Sequence, residues 1–419
     1  MTASATYEAI DAVWRIESAR LIAGLTRVVR DVGLAEDFAQ DALVAALEQW
    51  PESGVPDNPG AWLMVTAKRR AIDAIRRSAT LERKQAEIGR ALETSLQDSA
   101  TEEVEAAVDG DVGDDLLRLV FISCHPVLAT EARVALTVRL LGGLTTAEIA
   151  RAFLVPESTV AQRIVRAKRT LSETRVPFEI PHGAERAARL SSVLEVLYLI
   201  FNEGYAAGTG PDLVRVALTA EAIRLARLLL SLMPDEPTVL GLLALLLLQD
   251  SRRSARIDAA GRLVLLPDQD RSRWDVTLIK EGVELVGTGL RRTPERPDAY
   301  VVQAAIAACH ALAPSYDATD WDSVISWYDV LLRIHDTGVI RLNRGVAVAE
   351  RDGPAAGLSV VDAIDGLDRY PWWHGVRAEL LHRLGRTADA REAYERALAL
   401  DLNAPQSEHL RRRMAALDG

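Results

Sequence analysis

Cysteines, aromatic residues and long apolar runs are all scarce in this chain of 419 residues. The two cysteines, Cys124 and Cys309, are too few for a disulfide framework, which excludes the small disulfide-stapled secreted domains. No apolar stretch follows a basic start at the N-terminus, so we expect no secretory signal and a cytoplasmic location. The longest apolar run, 239–248, is about half of the ~20 residues that span a bilayer, which predicts a protein without a membrane partner.

The composition favours helix over sheet. Ala, Leu and Arg are abundant, β-branched runs are short, and aromatic residues make up only 5% of the chain. A hydrophobic content of 49% excludes a disordered polyelectrolyte. At roughly 150 residues per domain, the length predicts two to three domains. We therefore expect an all-α fold with more than one core.

The net charge of −11 conceals a segregation of sign along the chain. Residues 61–84 carry seven basic and two acidic side chains, and residues 145–175 carry six basic and three acidic ones. Between them, residues 91–115 hold nine acidic and no basic side chains, which is typical of a flexible acidic linker. Because nucleic-acid phosphates attract cationic surfaces, the two basic segments are candidate DNA-binding surfaces; Arg-rich solvated helix faces are the alternative interpretation.

Residues 7–80 predict helices interrupted by one loop. Apolar residues recur near the helical period in the first part, and a further helix is predicted from near Ala35 to Trp50. The segment PESGVPDNPG (51–60) contains three prolines and two glycines, which enforce a loop. The next helix is amphipathic, with Trp62 on its apolar face and its basic residues outward.

Residues 144–171 have the pattern of a helix-turn-helix. Thr145 and Glu148 form a capping box that opens a helix through Phe153, and Pro156 stands where a second helix can begin. The buried stripe of that second helix is predicted to be Val160, Ile164, Ala167 and Leu171. Its opposite face is polar and basic, as a helix that enters the major groove requires, and consists of Ser158, Thr159, Gln162, Arg163 and Arg166.

An internal repeat with a spacing of 33 residues occurs within 299–415. A small residue, a large apolar residue and a further apolar residue recur in this order at Val324, Tyr328 and Leu331, at Gly357, Val361 and Ile364, and at Ala390, Tyr394 and Ala397. Small residues on the second helix of each pair allow close helix approach, as in tetratricopeptide repeats. We expect either a concave face for a peptide or protein partner or a purely structural cap.

The acidic helix, loop, basic helix and helix-turn-helix together resemble regions 2 and 4 of the extracytoplasmic-function (ECF) sigma factors of bacterial RNA polymerase. The resemblance rests on AEDFAQDALVAALEQW (35–50), AWLMVTAKRRAIDAIRR (61–77) and LTTAEIARAFLVPESTVAQRIVRAKRTL (144–171). The long segment that follows the helix-turn-helix narrows the resemblance to the ECF group with a tetratricopeptide-like C-terminal extension. Members of that group look similar at FISCHPVL, LYLIFNEGYAAG, LPDQDRSRWD and AAIAACHAL. The implied fold is a region 2 helical bundle, a region 4 helix-turn-helix and a helical repeat domain.

The resemblance also implies roles for individual residues. The core-polymerase-binding edge would consist of Glu36, Asp37, Gln40 and Asp41. The minus-ten promoter element would be melted and read by Trp50, Asn58, Trp62, Lys68, Arg69, Arg76 and Arg77. The minus-thirty-five element would be bound by Ser158, Thr159, Gln162, Arg163 and Arg166. Arg69 stands where the family often has Asn, and Ala161 where it commonly has Lys, so no base preference carries over.

Five segments and one function are expected. The segments are sigma region 2 (7–80), an acidic linker (81–115), sigma region 4 (116–175), a helical extension (180–298) and tetratricopeptide-like repeats (299–415). The expected function is an alternative sigma factor that binds core RNA polymerase and promoter DNA, regulated by its extension without a classical membrane anti-sigma partner. A helix-turn-helix regulator with a repeat-type sensor and a repeat scaffold are the alternatives.

Two Cys-His pairs and two polar segments invite an enzymatic or ligand-binding interpretation. Cys124-His125 and Cys309-His310 lack CxxC spacing, so buried thiols and hydrogen-bonded imidazoles are favoured over zinc ligands. The segments FNEGYAAGTG and PDQDRSRWD suit either a ligand site or helix termini with a salt-bridged interface. No phosphate-binding loop or nucleophile elbow occurs. We expect no cofactor, no metal and no catalysis.

Overall fold

The structure, a computed structural model, describes residues 3–89, 112–205, 216–258, 264–400, 402 and 404–418. These residues are predominantly α-helical and contain no β-strand, which confirms the prediction of an all-α protein. The chain divides into two compact units, residues 1–199 and 200–419.

The first unit opens with three long helices that pack against one another. They are α1 (Ala3–Val29), α2 (Val32–Ser53) and α3 (Pro59–Gly89). The Asp31 side chain caps α2 by accepting a hydrogen bond from the backbone N–H of Leu34 at 2.9 Å. The observed loop is shorter than the predicted segment PESGVPDNPG. Helix α2 continues through Pro51 to Ser53, and Asn58 already caps α3.

Four further helices complete most of the first unit: α4 (Val112–Ser123), α5 (Thr130–Leu140), α6 (Thr146–Phe153) and α7 (Glu157–Glu173). Helices α6 and α7 form the predicted helix-turn-helix. The capping box of Thr145 and Glu148 is present in both directions, which confirms that prediction. The four predicted stripe residues of α7 are all buried, as expected.

The segment predicted as a linker, 81–115, overlaps the ends of two helices, since α3 continues to Gly89 and α4 begins at Val112. Most of its acidic residues, within 90–111, lie outside the described residues. Asp114 and Asp115 occupy the first turn of α4, where the helix dipole favours negative charge. Asp115 is buried and pairs with Arg27 of α1 at 3.1 Å, so this carboxylate holds two helices together.

Helix α8 (Gly183–Tyr205) crosses from the first unit into the second. The second unit continues with α9 (Val216–Leu232), α10 (Pro237–Asp250) and α11 (Val276–Arg292). The longest apolar run of the sequence forms α10, which is buried almost throughout. None of the helices in the described part of the chain combines the length and apolarity needed to span a bilayer.

Three helix pairs follow. They are α12 (Ala299–Leu312) with α13 (Trp321–Ile334), α14 (Gly338–Asp352) with α15 (Pro354–Asp362), and α16 (Pro371–Arg383) with α17 (Thr387–Leu398), before the last helix, α18 (Ala404–Ala415). The repeated small positions, Val324, Gly357 and Ala390, all lie on the second helix of a pair and are buried. A Cβ on Gly357 would lie 2.3 Å from the Cβ of Ala349, so this pair requires glycine.

Candidate nucleic-acid and polymerase interface

The predicted recognition face of α7 is open to solvent. Ser158, Gln162 and Arg166 are exposed, while Thr159 and Arg163 are half-buried at its edge. The preceding helix is held by the capping box, in which the backbone N–H of Thr145 donates to the Glu148 carboxylate at 2.8 Å. Burial raises the pKa of Glu148, but the hydrogen bonds from Thr145 and the charge of Arg15 outweigh it and lower that pKa. The turn is therefore a rigid support for an exposed polar and cationic helix.

The basic helix α3 presents guanidinium groups along its solvent side. Arg69, Arg76 and Arg77 are exposed, and Lys68 is half-buried. Arg70 instead faces α2, where it donates to the backbone carbonyl of Asp41 at 2.8 Å and approaches its carboxylate at 3.5 Å. The exposed row can neutralise the phosphates of a nucleic-acid strand, as its sequence predicts.

Two tryptophans meet at the start of this helix, but only one has an accessible ring. Trp50 is 2% exposed and packs edge-to-face against Trp62, with ring centroids 5.3 Å apart, while Trp62 is half-buried. The resemblance implies that Trp50 helps to read the minus-ten element; the structure turns its ring inward, because the last turn of α2 faces α3. Asn58 accepts a hydrogen bond from the backbone N–H of Ala61 at 3.1 Å and caps α3. Trp62 is therefore the more accessible of the two indoles.

The predicted acidic edge of α2 is divided between solvent and interior. Asp37 and Asp41 are exposed, Gln40 is half-buried, and Glu36 is only 2% exposed. The side-chain amide of Gln40 donates to the Glu36 carboxylate at 2.7 Å. The edge expected to face the polymerase thus contains one carboxylate that lies inside the first unit.

Glu36 is buried because α5 and α7 cover it. Its carboxylate lies 2.6 Å from Nε of Arg139 on α5 and 2.7 Å from Nζ of Lys168 on α7. Burial would raise the pKa of Glu36, but the two cations outweigh this effect and lower it below its ordinary value. Sequence reasoning did not find Arg139 and Lys168, since nothing local relates them to a residue more than a hundred positions away.

Helix α1 makes further contacts to α6 and to the turn before it. Arg15 pairs with Glu148 at the start of α6 at 3.0 Å, although both side chains are partly exposed. Gly143, in the turn before α6, has a φ of +66°, and a Cβ there would lie 3.0 Å from Oγ of Ser18. The turn therefore needs glycine both for its backbone and for its fit against α1.

The first half of α8 belongs to the first unit. Arg133 of α5 is buried and donates to the Ser192 hydroxyl and, at 3.0 Å, to the Glu195 carboxylate. The Ser192 hydroxyl donates in turn to the backbone carbonyl of Cys124 at 2.6 Å. The first compact unit runs on to Leu199 and so includes the first residues of the segment predicted as the extension, 180–298.

In the two Cys-His pairs, Cys124 is buried and the other three residues are half-buried. Burial raises the pKa of Cys124 to about 11, and its Sγ lies 3.2 Å from the Thr137 hydroxyl. Burial lowers the pKa of His125 to about 4, with a contribution from the charge of Arg189, and burial likewise lowers the pKa of His310 to about 4. The Cys124 thiol is therefore protonated and both imidazoles neutral near pH 7. Within the described residues, no three potential metal ligands come together.

The polar loop PDQDRSRWD supplies helix caps within the second unit. Asp270 accepts a hydrogen bond from the backbone N–H of Ser272, and Asp275 caps α11. Arg271 lies 4.5 Å above the Trp274 ring and donates to backbone carbonyls at the C-terminal end of α12. The second half of the other polar segment, 206–210 of FNEGYAAGTG, falls outside the described residues. The observed contacts match the helix-terminus interpretation of the loop.

Comparisons with known proteins bear on both units. Family models match sigma-70 region 2 at residues 16–80, sigma-70 region 4 at residues 118–171, and a family of unknown function, DUF6596, at residues 189–289. The uncharacterized protein R00370 of Rhizobium meliloti is 43% identical over 388 residues, which cover 92% of this chain and 90% of that protein.

Two sigma factors are more distant relatives. The probable ECF RNA polymerase sigma factor SigI of Mycobacterium tuberculosis is 28% identical over 180 residues, 43% of this chain and 60% of SigI. The ECF RNA polymerase sigma factor SigK of Mycobacterium ulcerans is 29% identical over 151 residues, 35% of this chain and 75% of SigK. Regions 2 and 4 both lie in the first unit, in the order and with the helices that the sequence predicts. The region 2 and region 4 matches and these relatives support an ECF sigma factor that carries a C-terminal helical extension.

Proposed function

We propose that this alternative sigma factor, which directs transcription initiation, contacts core RNA polymerase and promoter DNA through three surfaces of its first unit. The exposed face of α7 carries the proposal, since the four residues of its apolar stripe are buried while Ser158, Gln162 and Arg166 are exposed. Ser158, Thr159, Gln162, Arg163 and Arg166 would bind the minus-thirty-five duplex, with hydroxyl and guanidinium groups on bases and phosphates.

The minus-ten element would meet the start and the solvent side of α3. Arg69, Arg76 and Arg77 supply a cationic row for a melted strand, and the accessible ring of Trp62 supplies a stacking surface. Trp50 would act behind Trp62, because its ring fixes the Trp62 ring from the core side. Lys68 and Asn58 would complete this surface, Asn58 by holding the first turn of α3.

The polymerase would be bound by the acidic edge of α2. Asp37 and Asp41 are accessible at once, while Glu36 and Gln40 face region 4 in this structure. An acidic edge fits a partner surface that is cationic, since complementary potentials speed and orient docking.

The extension would regulate the sigma module. Helix α8 is continuous from the first unit into the second, and Arg133 fixes its first half to region 4. In the repeats, a cleft of about 450 Å³ is lined by residues of α13, α14, α15 and the turn that follows α15, among them Leu332, Ile364, Arg341 and Arg344. We assign this cleft to a peptide or protein partner whose binding changes sigma activity. The proposed role is regulatory and cytoplasmic, and no step in it requires catalysis by this chain.

Binding measurements with the full chain test these assignments. Arg163→Ala should weaken binding to promoter DNA and leave the affinity for core polymerase unchanged, because Arg163 lies on the recognition face. Arg169→Ala is the matched control, since Arg169 is exposed on the same helix and pairs with Glu173. Equal losses for both variants, or a loss of core binding with Arg163→Ala, would contradict the assignment.

A test of the extension requires a truncation point that preserves the contacts between Arg133 and α8. Removal of everything after residue 178 would leave the buried Arg133 without Ser192 and Glu195, so a loss of activity would report misfolding. Truncation after Tyr205 keeps these contacts. Promoter output that is unchanged by this truncation would reduce the extension to a passive cap.

A further inference from the structure

One carboxylate of the acidic edge of α2, that of Glu36, is already occupied by region 4. The Glu36 side chain is 3% exposed, and region 4 supplies both cations that neutralise it, Arg139 and Lys168. Asp37 lies 3.8 Å from the same Lys168 ammonium group. A partner that engages Glu36, and not only the exposed Asp37 and Asp41, must therefore displace region 4 from this carboxylate.

This contact has the properties of a reversible clamp. A buried carboxylate is tolerated only while its charge is compensated, so Glu36 needs Arg139 and Lys168 or equivalent cations. The two cationic side chains each remain 20% exposed and lose less hydration than Glu36 does. The nearby pair of Arg15 and Glu148 is more exposed and adds little, as exposed ion pairs generally do. A cationic partner surface could replace Arg139 and Lys168 without leaving Glu36 uncompensated.

We propose that the ion cluster of Glu36 with Arg139 and Lys168 is an autoinhibitory clamp that closes region 4 over the polymerase-binding edge of region 2. This inference rests on the proposed polymerase contact of that edge. The DNA-reading face of α7 points away from the clamp, since Ser158, Gln162 and Arg166 stay exposed while Lys168 faces α2. The clamp therefore restricts polymerase binding and leaves the recognition face of region 4 accessible. Core binding requires the open state, and the apparent affinity falls with the fraction of open molecules.

A disulfide across the clamp can test this. A Cβ built on Gly33 lies 3.8 Å from the Cβ of Lys168. This matches the mean Cβ–Cβ distance of disulfides, about 3.8 Å. The full chain with Gly33→Cys and Lys168→Cys, in a Cys309→Ser background, would be oxidised with diamide or reduced with dithiothreitol. Cys124 can stay, because it is buried.

The same variant should respond in opposite directions to oxidation and reduction. Oxidised, it is locked closed, and its affinity for core polymerase should fall at least about tenfold below that of the reduced form. Reduced, it lacks Lys168 and should bind core several-fold more tightly than the parent chain. Gly33→Cys alone, oxidised in the same way, controls for any effect on the adjacent Asp31 cap and should match the parent.

Three other outcomes of this experiment would overturn the clamp or the proposed function. Equal core binding by the oxidised and reduced forms, with the disulfide verified, would refute the clamp and leave the polymerase assignment intact. Failure of the disulfide to form in a chain with native helix content would refute the closed contact itself. If neither the parent chain nor the reduced variant binds core, the proposed function fails first, and the clamp with it.

Discussion

The close approach of α14 and α15 makes a prediction that separates packing from helix propensity. In an unconstrained helix, Gly→Ala stabilises by about 1 kcal/mol, because alanine loses less backbone entropy on folding. At Gly357, the new Cβ would lie 2.3 Å from the Ala349 Cβ, 2.8 Å from its Cα and 3.0 Å from the carbonyl oxygen of Gly345. Two of these are backbone atoms, so no side-chain rotation relieves the collision.

The magnitude follows from the distances. Carbon atoms pack best at about 3.5–4.0 Å, so the two helices must separate by roughly an ångström or more. Overpacking of this kind costs about 1–3 kcal/mol, which exceeds the gain in propensity. We expect Gly357→Ala to destabilise α14 and α15 by about 1–2 kcal/mol. Gly375→Ala is the matched control, since its nearest atom would be Cδ2 of Leu410 at 3.5 Å, an ordinary contact, and it should be neutral or stabilise α16 by up to about 1 kcal/mol.

Native-state amide hydrogen exchange is the suitable assay, because it reports opening free energies helix by helix in a chain with more than one compact unit. Faster exchange in α14 and α15 of Gly357→Ala, with unchanged or slower exchange in α16 of Gly375→Ala, is the expected pattern. If both variants are stabilised alike, the close contact does not exist, and the small position of the 33-residue repeat has no packing role.

Three further predictions concern the first unit. Arg163→Ala should lower promoter affinity roughly tenfold in mobility-shift assays, as loss of one good contact does; an unchanged affinity would remove Arg163 from the interface. Thr145→Ala should cost about 1 kcal/mol in hydrogen exchange of α6 because it removes the cap, and Thr145→Ser should not; similar losses for both would contradict the capping role. The pKa of Glu36 in the folded protein lies below its ordinary value of 4.5. The ionised Glu36 carboxylate therefore stabilises the closed contact fully above pH 4.5, and this stabilisation is lost as the pH falls through the folded pKa. Small-angle scattering of the parent chain should show that it opens at low pH. The scattering of Glu36→Gln should depend less on pH, and identical pH profiles for the two chains would refute this.

Features that depend on neighbouring residues could be predicted from the sequence. The capping box and the buried stripe of α7 arise within one or two helical turns, so spacing alone identified Thr145, Glu148 and Val160. The 33-residue repeat was visible for the same reason, since each unit must bury the same positions against its neighbours.

Features that depend on which helices meet could not be predicted. Nothing in the spacing of Glu36, Arg139 and Lys168 relates them, yet their contact buries part of the expected polymerase edge. The inward turn of Trp50 follows from the packing of α2 on α3, and the extent of the first unit follows from the Arg133 contacts to α8. These depend on tertiary packing, which local propensity and periodicity do not encode.

Reconstituted transcription with purified core polymerase tests the central claim most directly. The template would be a genomic promoter library, the chain would be used as full-length protein, and transcript starts would be mapped. The account predicts starts that share minus-ten and minus-thirty-five motifs, at higher yield with the reduced Gly33→Cys, Lys168→Cys variant than with its oxidised form. An absence of specific starts with both the parent chain and the reduced variant would contradict it.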